Sequence, residues 1–265
     1  MPDPIDARFA LARDIAERAG RLAHDHWSRR GALAIEAKAT ALDIVSEADR
    51  AVEREIRAAI AAAFPEDGVL GEEYGLAPGT SGFTWVADPI DGTVPFLHGM
   101  PNWCVSIALK RGPETVAGVI AAPSHGEVFA ARLGGGASLN GLALAIPPEV
   151  TIRNAAVGIG ASHRTPPEAA AEAVRRLLGQ GGMFFRNGSG ALMLAYVAAD
   201  RLAGYFEPHM HPWDCLAGLL IVAEAGGRAA PFGSPDDPSL GSAVLATAPG
   251  AWADLAWMAE ELAEA

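Results

Sequence analysis

The chain has 265 residues, 50% of them hydrophobic and 20% charged, the balance of a soluble globular protein with length for a large core in one or two subdomains. A net charge of −12, with no basic run to neutralise phosphates in series, speaks against nucleic acid or anionic membrane as a main partner. The opening MPDPIDARFA lacks the basic region and apolar core of a signal peptide, the apolar stretch Cys215 to Ala223 is far short of the ~20 residues of a membrane span, and two cysteines suit a reduced cytoplasmic location.

The spacing of Phe9, Ile15, Ala19 and Leu22 predicts an amphipathic helix over residues 5–27, with His24 and His26 on its surface. A second helix over 49–63 is stopped by Pro65, and Ser46 to Asp49, SEAD, fits a capping box at its start. GEEYG, Gly71 to Gly75, follows as an acidic loop. Strands are then expected at FTWVAD, CVSIALKRG, VAGVIAAP and EVFAAR, the last two joined by the turn at Ser124 to Gly126. GGGASLNG, Gly134 to Gly141, reads as loop and turn, without the spacing of a dinucleotide site. Pro147 and Pro148 mark a boundary between subdomains 1–146 and 147–265. Beyond it lie a strand at 155–160, helices at 167–178 and 190–200, the strand GYFE, a helix headed by Asp214, the strand VLATA and a closing helix.

The most informative stretch is DPIDGT, residues 88–93. A strand that delivers Asp88 and Asp91 at its end, with Gly92 and Thr93 turning the backbone, offers oxygen ligands to a hard divalent cation and N–H donors to an anion. Taken alone, DG means a turn, Asp214 a helix N-cap, and Glu72 or Glu73 a solvated loop charge. Acidic groups from three places, each beside Gly, Pro or Trp at an element boundary, look instead like a carboxylate cage for Mg²⁺ with positions open to substrate oxygens.

With its GEE loop, DPxDGT turn and late WDxxAG helix start in order, the chain resembles the magnesium-dependent, lithium-sensitive phosphomonoesterases typified by inositol monophosphatase. The resemblance runs from about Lys38 to Gly227. It implies a layered αβαβα sandwich of the inositol monophosphatase and fructose-1,6-bisphosphatase type, an α/β (α+β) fold with an antiparallel sheet in the first half, a mixed sheet in the second and the metal site between them. It further implies two to three Mg²⁺ ions held by Glu72, Asp88, Asp91, Asp214 and the carbonyl of Ile90, with Asp88 shared between ions. Asp91, Gly92, Thr93, Ser189, Gly190 and Glu207 are the implied substrate contacts. Homodimers are usual in the family.

A phosphatase can attack with a side chain or with water. Haloacid dehalogenase phosphatases carry DxDGT, but here two residues separate the aspartates, and the motif lies 88 residues into the chain. Ser189, flanked by Gly188 and Gly190, lacks the spacing of a nucleophile elbow, and Cys104 and Cys215 sit in apolar runs. Water is therefore the expected nucleophile. The resemblance has Glu72 and Thr93 hold it, Asp49 orient the Thr93 hydroxyl, and Lys38 lend electrostatic support. Asp49 can also be read as only a helix-start charge, and Lys38 as an ordinary surface lysine.

Residues 92–96 should open a helix whose free N–H groups face the phosphate, and Pro95 suits its first turn. The family usually carries Asn at this position. The expected activity is hydrolysis of a small polyol or alcohol phosphate, inositol monophosphate first and histidinol phosphate as rival, with nucleotide 3′-phosphate and fructose bisphosphate ranked below. A metal-binding regulatory protein without catalysis is the alternative of another class.

Overall fold

A computed structural model of the chain describes residues 3–32, 35–37, 44–162, 165–233 and 241–258. Among these the helices are α1 (Pro4–Ser28), α2 (Glu47–Ala63), α3 (Thr93–Leu97), α4 (Pro167–Gly179), α5 (Gly190–Ala198), α6 (Pro212–Glu224) and α7 (Trp252–Leu255). The Asp3 side chain accepts from the Ile5 N–H at 3.0 Å to start α1, and Pro4 occupies a first-turn position that needs no N–H partner. The apolar stripe of α1 is buried through Ile5, Ala12, Ile15, Ala16, Ala19 and Ala23. α2 opens on the expected capping box: Ser46 Oγ accepts from Ala48 N–H at 3.1 Å, and Asp49 Oδ2 accepts from Ser46 N–H at 2.8 Å.

The strands are β1 (Ile35–Ala37), β2 (Ile44–Ser46), β3 (Gly68–Gly71), β4 (Gly75–Ala77), β5 (Phe83–Asp91), β6 (Cys104–Arg111), β7 (Glu114–Ala122), β8 (Glu127–Arg132), β9 (Gly136–Leu139), β10 (Leu142–Leu144), β11 (Val157–Ile159), β12 (Phe184–Phe185), β13 (Gly204–Met210), β14 (Arg228–Ala229) and β15 (Ser242–Thr247). β1 and β2 pair as a separate ribbon. An eight-stranded sheet runs β10-β9-β8-β7-β6-β5-β3-β4, and a five-stranded sheet runs β12-β11-β13-β15-β14. The first sheet departs from the all-antiparallel expectation at one place, since β3 pairs β5 in parallel. The chain between them is the hairpin partner β4, so β3 and β5 enter the sheet from the same end. The second sheet is mixed, as expected, with β11 parallel to β12 and β13.

Layering follows from which faces are apolar. α1 and α2 cover one face of the large sheet, burying Trp85, Ala87, Ile107 and Val119. α5 and α6, apolar nearly all round, fill the space between the sheets, as a helix buried on both sides must. α4 lies on the outer face of the second sheet against β11, β12 and β13, completing an αβαβα sandwich.

The stretch Gly134–Gly141 is more ordered than a loop. Asn140 and Gly141 have φ of 51° and 80° and form a two-residue hairpin turn between β9 and β10. The signal was there in the Asn-Gly pair, masked by the run of glycines before it.

α6 crosses the large sheet closely at Gly118 on β7. A Cβ there would lie 2.7 Å from the Ala217 carbonyl oxygen and 2.9 Å from its Cα, backbone atoms that cannot swing aside. Gly118→Ala is expected to destabilise the fold by about 1–3 kcal/mol through overpacking. A melting temperature equal to that of the parent would show that α6 moves off the sheet freely.

Candidate active site

β5 delivers the two aspartates of DPIDGT. Read from the sequence as a turn after residue 87, the motif is strand through Asp91, and only Gly92 turns. Asp88 faces Ser106 and Asp91 faces Cys104 across β6, so three steps on β5 match two on β6 and one residue bulges out. Pro89, with no N–H to give the ladder, lies within this bulge. Ile90 turns into the α1/α2 core and is wholly buried, which leaves Asp88 and Asp91 on the other face. Asp88 Oδ1 accepts from the Ile90 N–H at 2.9 Å. Gly92 caps α3 with φ +94°, and a Cβ there would meet the Asn102 carbonyl oxygen at 2.7 Å, so glycine is required on both counts. Pro95 is the third residue of α3, where no helical N–H is missed, and its ring packs beside Gly188.

Asp91 is held from the far half of the chain. Its Oδ2 accepts from Ser189 Oγ and, at 2.8 Å, from the Ala191 N–H, with the Gly190 N–H adding to the same field at the start of α5. Cys104 Sγ lies 3.8 Å from the same oxygen. Ser189, expected as a substrate contact, is buried, directs its hydroxyl to Asp91 and caps α5 by accepting from Leu192 N–H at 3.3 Å. The Cys104 and Cys215 thiols are pushed well up, first by burial, which matches their exclusion as nucleophiles.

Asp214 sits one turn inside α6. The N-cap is His211, and Asp214 Oδ2 accepts from the His211 N–H at 2.9 Å. Asp88, Asp91 and Asp214 each bring a carboxylate oxygen within 4.8 Å of the others. Glu207, on β13, accepts from the Tyr205 hydroxyl, and its carboxylate lies across Gly160, where a Cβ would overlap it.

The first sheet and α2 supply the remaining groups. Glu72 follows β3 directly, and its N–H donates to Ala87 O at 3.3 Å, which places it beside β5. Thr93 Oγ1 donates to Asp49 Oδ1 at 3.4 Å and to Ile90 O at 3.2 Å. Asp49 thus satisfies both readings, one oxygen in the capping box and the other toward Thr93. Lys38 lies outside the described residues. Sequence reasoning missed Glu53, whose buried carboxylate accepts from the N–H groups of Glu73 and Tyr74 in the GEEYG loop. Its spacing, one helical turn after Asp49, was the available signal.

The electrostatics converge on one point. Burial, then repulsion from Glu72, Asp91, Asp214 and Asp49, drives the Asp88 carboxyl well above its usual range. Burial, then Glu72 and Asp91, does the same to Asp214. Asp91 rises to about 6 because burial outweighs its Ser189 and Ala191 bonds. Asp49 also rises to about 6, burial exceeding the Ser46 bonds. Carboxylates that repel one another in a desolvated pocket need a compensating cation, and an all-oxygen donor set suits a hard divalent ion such as Mg²⁺.

No helix among the described residues is long and apolar enough to cross a membrane. The family model described as "Inositol monophosphatase family" matches residues 6–264. A Rhizobium meliloti protein named inositol-1-monophosphatase is 42% identical over 188 residues, covering 70% of this chain and 71% of its own length. A Xylella fastidiosa protein named Nus factor SuhB is 39% identical over 201 residues, covering 75% of this chain and 73% of its own. The crystal structure of the Bartonella henselae extragenic suppressor protein SuhB superposes with a TM-score of 0.87 at 32% identity, covering 97% of this chain and 98% of that one. With the family model spanning nearly the whole chain over a site of this composition, the chain belongs to the inositol monophosphatase family and is a phosphoric monoester hydrolase.

Proposed function

We propose that the protein hydrolyses the phosphate monoester of a small polyol, inositol monophosphate before other substrates, with Mg²⁺ as cofactor. The observation that carries this reading is the convergence of Asp88, Asp91 and Asp214 within 4.8 Å, next to the Thr93–Asp49 contact and with Glu207 near enough to repel Asp214. Asp88, Asp91, Asp214, Glu72 and the Ile90 carbonyl would hold two to three Mg²⁺ ions. When bound, these ions supply positive charge that acidifies water and offsets negative charge developing on the phosphate oxygens. Glu72 and the Thr93 hydroxyl orient the attacking water, and Asp49 fixes the rotamer of Thr93 and accepts its proton. Gly92 and Thr93 offer backbone N–H donors to the phosphate. Lithium inhibition and a homodimer accompany the reading as family expectations.

The deciding assay is phosphate release with magnesium across inositol 1-phosphate, histidinol phosphate, a nucleotide 3′-phosphate and an aryl phosphate. The highest kcat/KM belongs to inositol 1-phosphate on this reading. A higher value for histidinol phosphate reassigns the substrate, and no release from any ester removes the catalytic role.

Glu207 is the proposed reader of the alcohol. Braced by Tyr205 and Gly160, its carboxylate can accept from neighbouring hydroxyls of a polyol. Glu207→Gln is expected to lower kcat/KM for inositol phosphate roughly tenfold, the size of one charge-assisted hydrogen bond, and to spare an aryl phosphate. Equal losses on the two esters would make Glu207 a support of the site and not a reader of the alcohol.

A further inference from the structure

We infer that Glu53 and Arg57 of α2 are positioning residues that set Glu72 against Thr93, so that one helix fixes both sides of the water site. The inference rests on the reading above, in which Glu72 and Thr93 hold the attacking water. Asp49 and Glu53 are four residues apart and both buried, one turn above the other on the same face of α2. The first meets Thr93. The second enters the acidic loop: Glu53 Oε2 accepts from Glu73 N–H at 2.7 Å, and Oε1 from Tyr74 N–H at 3.3 Å. Arg57 Nε donates to Glu53 Oε1 at 2.7 Å, while its guanidinium also reaches the Gly75 carbonyl at 2.5 Å and the Val69 carbonyl at 3.5 Å. The pair therefore grips the hairpin of β3 and β4 at its tip and on both strands, on either side of Glu72.

Gly71 shows how close the grip is. A Cβ at this position would overlap the Glu53 carboxylate, so the first glycine of GEEYG is explained by the charge it must admit and not by its φ. On the outer side, Arg54 donates to the Tyr74 hydroxyl at 2.8 Å. A buried ion pair seldom adds more stability than an apolar pair of the same volume. What it adds here is direction: two acceptor oxygens and a planar fork of donors fix the loop where apolar packing would let it slide.

The test is a double-mutant cycle on the magnesium-loaded enzyme with an aryl phosphate. Glu53→Gln removes the charge and one acceptor but keeps the shape. A displacement of about 1 Å at Glu72 is enough for a loss of roughly tenfold to a hundredfold in kcat. KM stays within about twofold, because Glu53 touches no substrate group. In a Glu72→Gln background the same change costs no further activity, beyond about twofold. Arg57→Lys, which keeps the charge but not the reach to both carbonyls, gives a smaller kcat loss of the same kind, and serves alone if Glu53→Gln does not fold. Wild-type kcat in Glu53→Gln, or a full multiplicative loss in the Glu72→Gln background, overturns the inference while leaving the catalytic reading intact. Wild-type turnover in Glu72→Gln alone overturns the role of Glu72, and this inference with it.

Discussion

Asp88→Asn is expected to lower turnover by roughly a hundredfold or more at saturating magnesium while leaving the fold in place. Glu72, Asp91, Asp214 and Asp49 all repel the buried Asp88 carboxylate, which suits it as the ligand that two cations would share. An asparagine keeps the shape and can still accept the Ile90 N–H, but it brings no negative charge between the cations. Removing a buried charge that repels its surroundings should also leave the metal-free variant at least as stable as the parent. Turnover and a thermal melt of the same preparation check both halves. Near-normal turnover would show that Asp88 is not the shared ligand.

The second large effect is the pH dependence of stability without divalent cations. Aspartate carboxyls titrate at 3.8 when unperturbed, whereas folded Asp49 and Asp91 keep their protons up to about 6, and Asp88 and Asp214 are also raised well above 3.8. The native state therefore binds more protons than the unfolded chain above pH 3.8, and stability falls as pH rises from there through about 6. Asp67 has the opposite sign. Despite its burial, its bonds to Arg8, Ser81 and Trp85 hold its carboxyl below 3.8, so its contribution is lost only on further acidification. Chelator-treated protein should thus melt several degrees lower at pH 8 than at pH 5, and excess magnesium should raise the melting temperature at pH 8 far more than at pH 5. A metal-free protein most stable at pH 8 would mean that the carboxylates are already compensated by groups of the chain.

The acidic residues that the structure brings together, Asp88, Asp91 and Asp214, stood out in the sequence because they lie in short motifs at element boundaries, where Gly, Pro and Trp narrow what an acidic residue can be doing. The layers were legible for a different reason: α1 and α2 have strong helical periodicity, and β5 to β8 each carry an apolar run, Trp85–Ala87, Ile107–Leu109, Val116–Ala122 and Val128–Ala131. Local sequence failed where an element borrows its stability from elsewhere. β3 and β4, GVLG and GLA, have little strand propensity and exist because β5 and the Glu53–Arg57 pair hold them. The two-residue strands β12 and β14 are edges that only their neighbours define. The hydrogen bond from Ser189 to Asp91 joins residues 98 apart, a pairing no local window of sequence could reveal.

The bulge in β5 makes the spacing of DPIDGT a statement about parity. On an unbroken strand, side chains that share a face are an even number of residues apart, so two aspartates meant for one cation pocket would read DxD. One inserted residue turns even into odd, and the pair must read DxxD to return both carboxylates to the same side. The two residues between Asp88 and Asp91 are thus the trace of a backbone defect written into the primary sequence. Deleting either one would straighten the ladder and leave the pair as DxD, both carboxylates still on one face, whereas straightening the strand with both residues kept would send Asp91 to the side where Ile90 now packs.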